Sequence, residues 1–109
     1  DELNIAAKLE PRSSVIHNNI GTAYLMLQKL DAAIANFQLA TQFDERNSSA
    51  FYNLGAAYFR QGKMQDSVNS FRRAAELEPD NAVFKSALND VQKKAGGKGK
   101  DDKGKKKKG

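Results

Sequence analysis

Two stretches of this chain, NNIGTAYLMLQ at residues 18–28 and YNLGAAYFRQG at residues 52–62, are copies of one pattern at a 34-residue offset. Sliding the sequence by that offset aligns Ile20 with Leu54, Gly21 with Gly55, Ala23 with Ala57, Tyr24 with Tyr58, Phe37 with Phe71 and Ala40 with Ala74. The frame extends backwards: Ala6 stands one offset before Ala40, and Pro11 falls where Glu45 and Pro79 recur. The chain is therefore expected to open inside a repeat. A recurring unit of this length buries its apolar face by stacking on its copies, so the repeat decides the architecture before any other feature is weighed.

Apolar spacing inside each unit is helical. Ile20, Tyr24 and Leu27 form one stripe and Ile34, Phe37 and Ala40 the next; Phe51, Leu54 and Tyr58, then Val68, Phe71 and Ala74, repeat the arrangement. Each unit is read as a helix pair. Gly62-Lys63 supplies a helix stop, Pro11 and Pro79 end others, and Ser13, Asn47 and Asp80 are the expected N-caps. Glycine inside a helix costs roughly 1 kcal/mol relative to alanine, so Gly21 and Gly55 call for either a local turn or a close packing partner that excludes any larger side chain. After Asp80, Phe84, Ala87, Leu88 and Val91 make one apolar stripe on an otherwise polar segment, as expected of a helix that covers the last repeat.

These residues resemble a tetratricopeptide repeat (TPR). The second unit carries the family's aromatic, Leu-Gly, Tyr, Phe, Ala and Pro positions as Phe51, Leu54, Gly55, Tyr58, Phe71, Ala74 and Pro79, with Ser67 where alanine is usual. The first matches through Ile20, Gly21, Tyr24, Ala33, Phe37 and Ala40, with His17 at the aromatic place and Glu45 for the proline. The resemblance implies an all-α, TPR-type solenoid of antiparallel helix pairs. Its parts would be the second helix of a truncated repeat at 1–12, full repeats at 13–46 and 47–80, a capping helix at 81–95 and a disordered basic tail at 96–109. It also implies that the small residues Gly21, Ala40, Gly55 and Ala74 let the paired helices approach while Tyr24, Tyr58, Phe37 and Phe71 fill the space between pairs.

Little in the sequence supports an enzyme. There is no cysteine and one histidine, and His17 sits at a packing position of the repeat, which favours a structural imidazole over a catalytic base. Asp44-Glu45 and Glu76-Glu78 fall at helix ends and read as solvated charges. Gly96 to Lys100 lacks the ending of a phosphate loop. No catalytic residue, cofactor or metal is expected. No apolar run has the length of a membrane span and no signal peptide opens the chain. Since the first residue is Asp1, the sequence is read as a processed chain or the C-terminal part of a longer one, so an enzyme to which the repeats were joined stays an alternative.

The resemblance implies a concave groove built from the first helix of each pair and used for a peptide or partner helix. On this chain it would present Val15, Asn18, Thr22, Leu25 and Met26, then Ser49, Tyr52, Ala56, Phe59 and Arg60. Tyr52 and Phe59 are the expected anchors, because both lie off the packing stripe of Phe51, Leu54 and Tyr58; the alternative is contact with an upstream repeat or the cap helix. One branch of the family holds chaperone tails with a clamp of lysines, asparagines and an arginine. Here Asn18 and Thr22 replace two of those residues and only Asn53 agrees, so an internal or apolar-anchored peptide is the better expectation.

The net charge of +5 resides in the tail. Residues 96–109 hold seven lysines and two aspartates, which leaves 11 basic and 11 acidic side chains in residues 1–95. The tail lacks aromatics for base stacking, so contact with nucleic acid, an anionic membrane or an acidic protein would be weak and non-specific. An adaptor acting through this tail is the rival function. The lysine run also fits a nuclear address or a dilysine retrieval pattern; the compartment is left open, with a cytoplasmic or nuclear setting the working expectation. At the other end, Leu3, Ile5, Ala6 and Leu9 would form an unmatched apolar edge open to self-association.

Overall fold

The structure, a computed structural model, describes residues 13–103, with side-chain surroundings for residues 13–96. The expected half-repeat at 1–12, with its apolar edge and Pro11, lies outside the described residues, as does 104–109. The described chain folds into α1 (Ser14–Met26), α2 (Leu30–Phe43), α3 (Ser48–Gln61), α4 (Met64–Leu77) and α5 (Ala82–Lys103). Links of two or three residues fold α1 back on α2 and α3 back on α4, and α5 packs on α4 to close the stack.

The helix starts follow the period of the repeat. Ser13 Oγ accepts from the Ile16 N–H at 3.2 Å, Asn47 Oδ1 from Ala50 at 3.0 Å, and Asn81 Oδ1 from Phe84 at 3.0 Å. The last of these corrects the expected cap at Asp80: Asn81, the repeat counterpart of Asn47, is the one whose side chain meets the third amide of its helix. The helix ends repeat as well. Gly62 closes α3 at φ 82°, and Gln28, its counterpart after α1, takes φ 62°. In both places the following lysine N–H donates 2.9 Å back to a tyrosine carbonyl, Lys29 to Tyr24 and Lys63 to Tyr58. A left-handed residue is thus built into the turn, and the first repeat accepts the strain of a side chain there.

Packing explains the glycines inside the helices. A Cβ on Gly21 would lie 2.5 Å from Phe37 Cε1, and one on Gly55 would lie 2.7 Å from Phe71 Cδ1. Each ring fills the notch that its glycine leaves. Phe37 is buried with Ala33, Ile34, Leu54 and Ala57, which ties the first pair to the second, and Phe71 is buried with Val68 and Val91, which ties the second pair to α5. Complete burial of such side chains contributes about 1.5–3 kcal/mol each. Ser67, at the family's alanine position, is fully buried and donates its hydroxyl to the Gly55 carbonyl at 2.8 Å, so the substitution adds a link across the same close approach.

Polar ties brace the junctions. Ser14 Oγ donates to the Ala40 carbonyl at 2.7 Å and accepts from Asn47 Nδ2 at 2.8 Å. One repeat later Ser48 donates to Glu78, whose other oxygen accepts from Asn81 Nδ2 at 3.1 Å. These two bonds hold the Glu78 carboxyl below its ordinary pKa, that from Ser48 the more strongly.

Helix α5 differs from the expectation. It continues to Lys103, past the end expected at 95, so residues 96–103 of the expected tail are helical. Gly96, Gly97 and Gly99 disfavour a helix, but they do not remove backbone donors as proline does, and extending a helix already nucleated by packing costs far less than starting one.

Candidate peptide-binding groove

Helices α1, α3 and α5, the first helices of successive units, stand side by side; α1 contacts α3, and α3 meets α5 through the ring of Tyr52. Asn18 and Asn53 meet at the middle of this face, where Asn53 Nδ2 donates to Asn18 Oδ1 at 3.0 Å. Thr22 turns its hydroxyl to the Asn18 carbonyl at 3.0 Å. Amide groups therefore occupy the centre of the groove, with Asn18 at the position where a carboxylate clamp would carry a lysine.

The remaining expected groove residues separate into four groups. Leu25 packs on the first core cluster, whereas Val15, Met26 and Ser49 are exposed and line neither of the two hollows between α3 and α5. Tyr52 is half-buried: its ring lies 5.4 Å from Phe71 and 5.2 Å from Phe84, nearly parallel to the latter at 28°. Its position off the stripe thus reflects packing against α5, the alternative weighed above. Ala56, Phe59 and Arg60 are drawn together with Phe71, Ala87, Asp90, Val91 and Lys94 around a cleft of about 290 Å³ between α3 and α5. A second depression, about 380 Å³, lies between Tyr52 and Ala82, Val83, Ser86, Ala87 and Asp90.

Phe59 is the large apolar side chain that opens onto this cleft, 38% exposed, with Lys94 Nζ 5.9 Å from its ring centroid. Sequence reasoning treated α5 as a cover and missed its contribution. The signal was the repeat itself: Val83, Ala87, Asp90 and Lys94 are the repeat counterparts of Ser49, Asn53, Ala56 and Arg60.

Away from the groove, His17 is buried against Phe43, ring centroids 5.4 Å apart, and its Nδ1 is 3.1 Å from Asn36 Oδ1. Asn36 Nδ2 donates to the Ala32 carbonyl, which turns Oδ1 toward the ring and makes Nδ1 the donor. Among the described residues no three His, Cys, Asp or Glu side chains gather as a metal site, and no helix is long and apolar enough to cross a membrane.

Repeat profiles match this sequence as a TPR repeat over residues 23–62 and as a tetratricopeptide repeat over residues 48–81. Among solved structures, the first TPR of Spaghetti (RPAP3) bound to the HSP90 peptide SRMEEVD is 25% identical, with TM-score 0.82 over 85% of this chain and 74% of that one. The Arabidopsis OM64 TPR domain is 26% identical, with TM-score 0.79 over 84% of this chain and 75% of that one. YrrB, a TPR protein with an unusual peptide-binding site, is 18% identical, with TM-score 0.80 over 87% of this chain and 49% of its own. The last is a likeness of fold, and this chain spans about half of that protein. A comparison with curated protein sequences gave no significant match.

Among the described residues, five helices packed as antiparallel neighbours around a 34-residue period define an α-helical solenoid. The chain belongs to the tetratricopeptide-repeat family, whose arrays are protein–protein interaction modules and typically non-catalytic.

Proposed function

We propose that the chain holds a peptide or a single helix of a partner protein against α1, α3 and α5, with an apolar side chain of the ligand seated between α3 and α5. The observation that carries this reading is the cleft at Phe59, floored by Ala56, Phe71, Ala87 and Val91 and open to solvent. Its volume is at the lower limit of small-molecule pockets, which suits one or two side chains better than a cofactor. The Spaghetti relative bound to an HSP90 peptide supports peptide binding as the mode. The clamp positions argue against a terminal carboxylate as the anchor: Asn18, Thr22, Val83 and Ala87 supply no cation at the groove centre.

Selection of displayed random peptides on the full chain, followed by titration against Phe59→Ala, tests this reading. Binding should weaken more than tenfold, since truncating an anchor commonly costs about 2 kcal/mol or more, with helical content retained. Equal affinity for the variant would assign the ligand to another surface.

A further inference from the structure

We infer that the ligand of this groove carries an acidic side chain next to its apolar anchor, read by Arg60 and Lys94; this rests on the peptide reading above. The α3–α5 cleft has apolar walls, and its charges sit at the rim: Arg60 in the last turn of α3, Lys94 at the corresponding position of α5 one repeat later, and Asp90 between the cleft and the second depression. All three are exposed, and none forms an ion pair with another; among the described residues the one ion pair is Arg73–Glu76 at 3.6 Å, away from the groove.

Arg60 complements the C-terminal dipole of α3, and Lys94 lies over the Phe59 ring, yet neither is neutralised by a carboxylate. Lys94 lies at the Phe59 ring and Arg60 lines the same cleft, so a ligand side chain that lands there meets two cations. A carboxylate one to three residues from the anchor reaches them. Arg60 can take it bidentately, and the apolar walls reduce screening.

Asp90 sets the polarity of the ligand. It stands on the same face of α5 as Lys94, one helical turn earlier, beside the depression at Val83 and Ser86. A carboxylate there repels ligand acids from the second depression and accepts backbone N–H groups or a basic side chain. The acid of the ligand is thereby directed to the Phe59 end.

The test selects random 16-residue displayed peptides in parallel on the full 109-residue chain and on Arg60→Glu/Lys94→Glu, with Arg60→Gln/Lys94→Gln as a milder pair if the reversal perturbs folding. Peptides from the native chain should pair an aliphatic or aromatic residue with Asp or Glu within three positions. Their affinity should fall at least tenfold on Glu→Gln replacement in the peptide, and more steeply at higher salt. The reversed chain should enrich Lys or Arg at the same place. Peptides that compete at Phe59 but show no acidic enrichment, or the same charge preference on both chains, overturn this inference and leave the groove reading standing. Peptides that bind Phe59→Ala unchanged, or an empty selection, overturn both.

Discussion

Gly55 and Phe71 occupy one volume: a Cβ on the glycine would stand 2.7 Å from Cδ1 of the ring, closer than such atoms approach in folded proteins. The same relation holds one repeat earlier between Gly21 and Phe37, at 2.5 Å. In each repeat the helices are held so near one another that the smallest residue on one and a large ring on the other are a single choice.

Gly55→Ala should therefore destabilise the fold although alanine is the better helix former. Overpacking of a core costs about 1–3 kcal/mol, against about 1 kcal/mol of helix preference. A net loss of up to about 2 kcal/mol by urea denaturation is expected. Gly21→Ala should cost more, because Phe37 is completely buried and has less room to yield.

The turn residues predict both signs. Gln28 holds φ 62°, where Gly62 serves in the next repeat. Left-handed backbone costs a side-chain-bearing residue about 1–2 kcal/mol, partly offset by the extra freedom glycine gives the unfolded chain. Gln28→Gly should raise stability by about 0.5–1 kcal/mol and Gly62→Ala should lower it by a similar amount, although nothing lies within 4 Å of a Cβ at Gly62. Thermal melts of the two variants give both signs directly.

Much of this was legible in the sequence, because the repeat period fixes helix pairs, glycine notches and family together. What escaped was decided between elements. The helical wheel makes Tyr52 a ligand anchor but cannot show that its ring also stacks on Phe84 of α5. Asp80 was read as a cap, although the period that ran from Ser13 to Asn47 already pointed to Asn81. Composition made residues 96–103 a tail, whereas a helix started by packing at Phe84 and Val91 runs on through the glycines.

Glu78 gives a pH dependence. Hydrogen bonds from Ser48 and Asn81 lower its pKa in the folded state, so the carboxylate binds protons more weakly folded than unfolded. The stability it contributes is present in full above the unfolded value, about 4.3, and is lost as pH falls through the lower folded value. Glu78→Gln should flatten that part of the acid limb and leave stability differences above about pH 6 independent of pH. Urea midpoints measured from neutral pH downward test it.

Tyr52 and Phe59 should separate in their effects. Tyr52→Ala removes a ring packed on Phe71 and Phe84 and should cost about 2–3 kcal/mol of stability. Phe59→Ala, at a half-open site, should change stability by less than about 1 kcal/mol. Paired denaturation curves check the division.

The groove reading is tested most directly by titrating one selected peptide into the native chain and into Phe59→Ala at equal helical content. The α3–α5 cleft predicts a loss of more than tenfold in affinity, with the urea midpoint nearly unchanged. An affinity the same within twofold, with the fold intact, would contradict it.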